Sequence, residues 1–482
     1  MENKIYVGTW WLPDAPEKRI GGILTVDPSG SCELQLTGSL MVNPLWTPAM
    51  DEGPQAEVSP VVHGETAAEK FTILHPYVAG GGVGSPFEDQ PQQLTPQVVL
   101  RGIHLTSADE NVFNGLEIEI DNLTAWSSLT GFTSTVNTKA MLGEAADYWV
   151  KYQLARPPAP GEVGALGGFD VELKWQSTFN PHVTQTHAGR QLKASELVKA
   201  KFQSETPVPW DSFLDVIKSF QDLLTFATRH PCAIRSCHLI ASNEAIRTSG
   251  PIELIRSAFV EPKADAEAKW NKFLFRVSDV SFGELLGKWD KLRSDIDMGI
   301  HVLLGLDYES GGYLENKIMN AASAAESIHR GLHPKATGLP VEEYKASLLT
   351  IKEALEGDAN SQWFLGRLGN DPGFMDRMRQ LAGIPSHEAV LALLCDIDQW
   401  AKWLRDARNA IAHLEGKALA KIPQEARYQI STATKALLHL VFLAELGLSP
   451  EIQIRAVNMV YGGQTEGFRR AVRTRIAQKR TM

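Results

Sequence analysis

Over roughly its first 200 residues the chain alternates apolar and polar positions, and from about Pro209 it changes to a helical period. Ile20-Gly21-Gly22-Ile23-Leu24-Thr25-Val26 runs into Asp27-Pro28-Ser29-Gly30, a turn signal, and Cys32-Glu33-Leu34-Gln35-Leu36 alternates beyond it. This pattern predicts a hairpin. Leu116-Glu117-Ile118-Glu119-Ile120 and Phe169-Asp170-Val171-Glu172-Leu173 repeat the period of two. The clusters Ala79-Gly80-Gly81-Gly82 and Arg156-Pro157-Pro158-Ala159-Pro160-Gly161 predict loops, because Gly and Pro do not sustain strand ladders. No internal repeat is visible.

Trp210, Phe213, Leu214, Ile217 and Leu224 then fall mostly on one helical face. Residues 234–240 predict a return to strand, Gly250-Pro251 a break, and Pro262-Lys263-Ala264-Asp265 a loop. From Trp270 onward the periodicity predicts helices over 290–304, 314–331, 340–355, 371–381, 386–415 and 423–446. Ser386 suits a helix start, Gly416 a helix end, Pro423 a first turn and Gly447 a C-terminal cap. The predicted fold class is α+β. A β-rich domain over 1–265, strands to about 200 and then mixed, precedes an α-helical bundle over 266–482.

Composition supports this division. A length of 482 residues allows two or three domains, and 43% hydrophobic with 22% charged residues supplies real cores. Four cysteines make a disulfide framework an unsuitable reading and fit a reducing compartment. The N-terminus, MENKIYVGTWWLPD, has no apolar signal core. The longest apolar stretch, 436–446, is too short for a membrane span and contains His439 and Glu445. These features predict a cytoplasmic protein with no membrane association.

The chemistry concentrates in Arg408-Asn409-Ala410-Ile411-Ala412-His413. Metal-independent RNA cleavage uses the ribose 2′-hydroxyl as nucleophile. A general base must take its proton, and a cation must balance the charge growing on phosphate. Histidine suits the first task because it titrates near neutrality. Arginine suits the second because its planar fork pairs with phosphate oxygens and stays charged. Asn409 could orient either through its amide. Five residues along a straight helix rotate two side chains apart by about 140°. Either the helix unwinds near His413, or a second subunit completes the site across a two-fold axis. The competing reading is a surface ion pair and a dipole-compensating helix end.

The motif resembles the Arg-Asn-x-x-x-His form of the HEPN ribonuclease superfamily. Beyond it, Gly8-Thr9-Trp10-Trp11-Leu12-Pro13 with Gly22-Ile23-Leu24, then Gly102-Ile103-His104-Leu105 and Leu123-Thr124-Ala125-Trp126, resemble the N-terminal domain of the ApeA-like anti-phage proteins. Ala325-Glu326-Ser327-Ile328-His329-Arg330 resembles that family's first HEPN helix. Ala410 and Ala412 depart from the bulkier or hydroxyl residues expected there. The resemblance implies a defence effector that halts phage growth by cutting host RNA, tRNA being the favoured substrate class. It implies a HEPN homodimer acting without metal or other cofactor. It implies an N-terminal domain that restrains the nuclease or senses a phage-encoded protein. Carried over by position, Arg408 and His413 are the catalytic pair and Asn409 supports them. Glu326 and His329 either line the cleft or, for Glu326, make a buried ion pair with Arg330. The alternative is a non-catalytic RNA- or protein-binding dimerisation module.

Other candidates carry less. His230-Pro231-Cys232 and Cys237-His238 gather four zinc-ligand types, but structural zinc joins two short pairs across a longer loop, so buried cysteines are predicted. Gly80 to Gly84 lacks the Gly-Lys-Ser/Thr of a phosphate loop. Adjacent Trp10 and Trp11 in a strand are expected to face opposite sides, one of them into a core. At net charge −10, RNA contact needs a local basic patch. Arg469, Arg470, Arg473, Arg475, Lys479 and Arg480 supply one, either as a frayed solvated end or as an RNA backbone contact.

Overall fold

The computed structural model describes residues 2–40, 61–81, 90–136, 150–156, 162–179, 184–186, 189–242, 251–261, 270–309 and 311–480. Two compact units emerge: Met1–Leu224 with Pro231–Ala268, and Thr225–His230 with Lys269–Met482. The predicted loops at 157–161 and 262–265, and the expected domain boundary at 265/266, lie outside the described residues.

The first unit is built on strands β1 (Lys4–Trp11), β2 (Ile20–Val26), β3 (Cys32–Leu36), β4 (Val62–Glu65), β5 (Lys70–Leu74), β6 (Tyr77–Gly81), β7 (Gln92–Thr95), β8 (Val98–Arg101) and β9 (Phe113–Ile120). Helix α1 (Leu123–Ser127) follows, then β10 (Phe132–Val136), β11 (Val150–Leu154), β12 (Gly164–Leu166), β13 (Phe169–Phe179), β14 (Thr184–Thr186), β15 (Gly189–Gln191) and β16 (Ala194–Val208). Helix α2 (Leu214–Thr228) precedes β17 (Ile234–Ala241) and β18 (Ile252–Arg256). Among the described residues a 14-stranded sheet runs β12-β13-β16-β9-β17-β18-β8-β5-β4-β1-β2-β3-β7-β6, and its pairs are antiparallel.

Period-two sequence becomes this sheet directly. The predicted hairpin is β2–β3, in register from Gly22↔Leu36 to Val26↔Cys32. Its turn is fixed by Asp27 Oδ1, which accepts from the backbone N–H of Ser29 and Ser31 at 2.8 and 2.9 Å. The inward residues Leu24, Val26, Leu34 and Leu36 join Trp10, Phe71, Ile73 and Val99 in one core. Gly64 permits the close approach of Trp10, whose ring would lie 2.1 Å from a Cβ there.

Two expectations change. Trp10 and Trp11 are both buried, since Trp11 sits edge-on to His63 and His104 and is covered by the Arg19 guanidinium at 4.0 Å. Ala79-Gly80-Gly81 ends strand β6 instead of forming a loop; β6 is the terminal strand of the sheet, and a register shift between Val78 and Gly80 accommodates the glycines. Residues 82–84 lie outside the described part. Cys232 and Cys237 are buried, and burial pushes the Cys237 thiol up to about 12.

The second unit holds α3 (Phe282–Tyr308), α4 (Leu314–Leu332), α5 (Val341–Ala354), α6 (Ser361–Leu365), α7 (Phe374–Ala382), α8 (His387–Leu394), α9 (Ile397–Ala412), α10 (Gly416–Leu419), α11 (Gln424–Glu445), α12 (Pro450–Ala456) and α13 (Glu466–Arg480), with one π turn at Val457–Tyr461. Helix α11 is the central helix: Leu437, Leu438, Leu440, Val441, Phe442 and Leu443 are all fully buried, and it touches α3, α4, α7, α8, α9, α12 and α13. It ends as predicted, with Gly447 at φ +83. Buried Ala321, Ala322, Ala324 and Ala325 keep α4 thin where it packs among α3, α7, α9 and α11. Helix α5 forms as the pattern predicts for 340–355, and α6 is a short helix the pattern did not predict; neither buries a residue.

This core also buries charge. Asp307 and His439 are 1% and 0% exposed at the side chain, and His439 Nε2 lies 3.0 Å from Asp307 Oδ2. Lys435 Nζ donates to Asp307 Oδ1 at 2.8 Å, and Arg229 Nη2 is 3.7 Å from the same oxygen. His439 Nδ1 hydrogen-bonds the buried Tyr461 hydroxyl. Burial alone would raise the Asp307 pKa, but His439, Lys435 and Arg229 outweigh it and hold the carboxyl below the ordinary range. Burial lowers His439 and overrides the opposing pull of Asp307. In a neutral ring Nδ1 accepts from the Tyr461 O–H, and Nε2–H approaches Asp307 Oδ2 outside hydrogen-bond geometry.

Candidate active site

The motif lies on α9, which is shorter than the pattern suggested. The predicted helix 386–415 is two helices. Ser386 caps α8, its hydroxyl accepting from Ala389 N–H at 3.2 Å. Cys395 then takes φ 62, and the Asp396 carboxylate opens α9 by accepting from Gln399 N–H at 2.9 Å. Gly416 does not end the helix; it begins α10. The stop is a Schellman motif three residues after Ile411. Glu415 N–H donates to Ala410 C=O at 2.7 Å and Leu414 N–H to Ile411 C=O at 3.1 Å. Leu414, 92% exposed, holds the left-handed φ of 57 usually given to glycine.

One face of α9 is anchored by Trp400, Ala401, Leu404 and Ala407, with Trp400 Nε1–H donating to Thr434 Oγ1 at 3.0 Å. This anchoring turns Arg408 and Asn409 away from the core. Arg408 Nη1 donates to Asn409 Oδ1 at 3.1 Å, and its Nη2 lies 3.5 Å from Glu326 Oε2 on α4. His413 is the C-cap, at φ −97 and ψ 5, and its N–H donates to Asn409 C=O at 3.0 Å. Asn409 and His413 are therefore one turn apart on the helix surface, and Asn409 ties Arg408 to that side. The His413 side chain is exposed and makes no hydrogen bond or ion pair among the described residues. The helix stays regular to Ala412, so it does not unwind between Arg408 and His413, and no bond joins the two among the described residues.

Glu326 thus faces Arg408, not Arg330, and the expected Glu326–Arg330 pair is not among the ion pairs of the described residues. The reason is packing: α4 lies against α9, which brings Arg408 to Glu326, while Arg330, one turn further along the same face, is exposed. The Arg408–Glu326 pair is 40% and 21% exposed, so it contributes about 0–1 kcal/mol and a phosphate can displace it. His329 is buried and turned to α7, its Nε2 2.6 Å from Gln380 Oε1. Burial lowers its pKa.

The basic C-terminal run is an ordered helix, α13, with Phe468 and Val472 fully buried. Arg469 is consumed internally, donating to Gly462 C=O at 2.7 Å and Ala392 C=O at 3.3 Å and pairing with Glu466. Arg473 lies 3.7 Å from Glu466, and Arg470 3.6 Å from Glu425. Lys479 donates to Gln399 Oε1 at 3.3 Å. Arg480 ends the helix.

Sequence reasoning missed a cavity of about 960 Å³ that Asn409 shares with Arg470 and Arg475. It also missed Asp307, His439 and Tyr461, which are scattered in sequence and carry no motif spacing. Among the described residues no group of His, Cys, Asp and Glu could hold a metal ion, and no helix is long and apolar enough to cross a membrane.

Two family models match. The one described as ApeA N-terminal domain 1 covers residues 5–289, and the one described as Apea-like HEPN covers residues 319–452, which include α4 and the α9 motif. No curated protein and no solved structure matches the chain.

Proposed function

Since the chain belongs to the ApeA-like family of HEPN proteins, we propose that it is an anti-phage ribonuclease that cuts RNA, tRNA foremost, by 2′-hydroxyl transesterification. The observation that carries this reading is the grouping of Arg408, Asn409 and His413 at an exposed helix end, with Asn409 bonded to Arg408 and one turn from His413.

The residues divide the work. The His413 ring accepts the 2′-hydroxyl proton as the oxygen attacks phosphorus, or returns a proton to the departing 5′-oxygen. Arg408 leaves its weak pair with Glu326 and sets its fork on the phosphate oxygens as charge develops. Asn409 fixes the guanidinium through its carbonyl oxygen. One chain offers a single exposed motif histidine. A second copy placing its own His413 at the same phosphate supplies acid and base together, so the working form is a homodimer. The N-terminal unit restrains or triggers the nuclease in response to a phage-encoded protein, and the whole acts in the cytoplasm.

The test is incubation of the purified protein and its His413→Ala variant with total tRNA in EDTA, followed by end mapping. Cutting by the wild type alone, leaving 2′,3′-cyclic phosphate ends, is the expected result. Equal cutting by both proteins would remove His413 from the chemistry. No cutting by either, with phage lysate added, would favour a non-catalytic binding module.

A further inference from the structure

The motif handles one phosphate, and nothing in it holds the rest of an RNA strand. The cavity of about 960 Å³ begins at Asn409 and follows α9 back to Gln399, with α13 as its facing wall and α10 and the start of α11 at its end. Eleven residues of helix make this run about 16 Å long. We infer that this groove binds an unpaired stretch of RNA on one side of the cleaved bond, an inference that rests on the ribonuclease reading above.

Three features point to a single strand. The first is charge. Lys402, Lys421 and Arg475 line the groove, are exposed, and make no ion pair among the described residues. Arg475 donates only to the neighbouring Gln478 Oε1, at 3.5 Å. Of the three acids in the lining, Asp406 is answered by Arg405 at 2.7 Å and Glu425 by Arg470 at 3.6 Å, which leaves Glu415. In a protein of net charge −10 this is a local excess of unmatched cations beside the motif.

The second is the floor. Trp403, Ile422 and Ala471 line the same groove as those cations and are only 6%, 3% and 9% exposed. An apolar floor under a basic rim suits splayed bases below and phosphates above. A duplex keeps its base faces stacked inside and cannot use such a floor.

The third is Asn409. Its carbonyl oxygen is taken by Arg408, so the amide that remains to line the groove is a donor, positioned for the nucleotide next to the reacting phosphate. The α13 wall lies beyond residue 452, outside the matched HEPN span.

Binding is measured with the uncleaving His413→Ala protein, using a short single-stranded oligoribonucleotide and the same oligomer annealed to its complement, across a salt series. Single-stranded binding should exceed duplex binding. Adding Lys402→Glu or Arg475→Glu should weaken it by about tenfold and flatten the salt slope by about one unit for each phosphate no longer neutralised. Arg367→Glu, remote on α6's C-terminal side, should change neither. Unaltered affinity and slope in both groove variants, or equal binding of duplex, overturns the groove. Cleavage by the wild type without any groove effect overturns the groove and leaves the nuclease reading standing. Groove-dependent binding without cleavage by the wild type supports the groove and sinks the nuclease reading.

Discussion

Two clusters in the helical unit use the same residue types toward opposite ends. Around Asp307, a buried carboxylate and histidine gather with a mostly buried lysine and arginine and with Tyr461. At the end of α9, Arg408, Glu326, Asn409 and His413 lie at the surface with one weak ion pair and one side-chain hydrogen bond. In the first cluster the buried Asp307 is met by Lys435, Arg229 and His439, whose side chains are 13%, 12% and 0% exposed, so the cluster holds α3, α11 and the π turn in place. In the second, His413 has no side-chain partner among the described residues, and accessible groups with unfilled bonding capacity are what a substrate needs. Histidine identity therefore does not mark a site; accessibility and missing partners do.

Substitution separates the two clusters most sharply. His413→Ala should lower RNA cleavage by at least about 10²-fold, as loss of a positioned acid–base group does, while the thermal midpoint stays that of the wild type. A variant that melts early would place His413 in the scaffold instead. Asp307→Ala should do the reverse. It leaves the mostly buried Lys435 and Arg229 without their anion, a cost of about 3–5 kcal/mol, read as a lower urea midpoint. Unchanged stability in that variant would mean the cluster is not a structural lock.

Acid should act on the buried histidines before the carboxylates. Burial lowers the pKa of both His329 and His439 from the ordinary 6.5, so between the lowered values and 6.5 the unfolded chain binds more protons than the folded one. Stability is then fully present above about 6.5, declines as pH falls from there to the lowered folded values, and levels off below them. The Asp307 contribution disappears only well below the ordinary carboxylate range, because its folded pKa is depressed. Urea titrations between about pH 7 and pH 5 that gave constant stability would contradict this order.

The smallest effect concerns the turn behind the motif. Leu414→Gly relieves the left-handed strain and loses no packing from a side chain that is 92% exposed, so it should stabilise by about 1 kcal/mol with cleavage retained. Loss of cleavage in a stabilised variant would assign the Leu414 side chain a part in binding substrate or partner.

Much of this was legible along the chain. The β2–β3 hairpin, α11 and its Gly447 cap, and the Ser386 cap follow from local patterns, because each depends on residues a few positions apart. The errors have the opposite cause. The helix expected over 386–415 is broken at Cys395, where Asp396 caps a second helix in competition with continued periodicity. Gly416 reads as a stop, but the bonds to Ala410 and Ile411 place the left-handed residue at Leu414. The Arg330 partner expected for Glu326 is a same-helix neighbour, whereas packing of α4 against α9 offers Arg408.

By itself the sequence determined the α+β class, the positions of most elements and the candidate pair Arg408 and His413, because strand and helix periods, caps and a six-residue motif are all short-range. Only the tertiary structure decided that Arg469 turns inward while Lys402, Lys421 and Arg475 line a groove, that Asn409 bridges Arg408 and that groove, and that His439 is sealed against Asp307. Those outcomes depend on which helix faces meet, and residues from Arg229 to Tyr461 meet in the Asp307 cluster with no pattern along the chain to announce it.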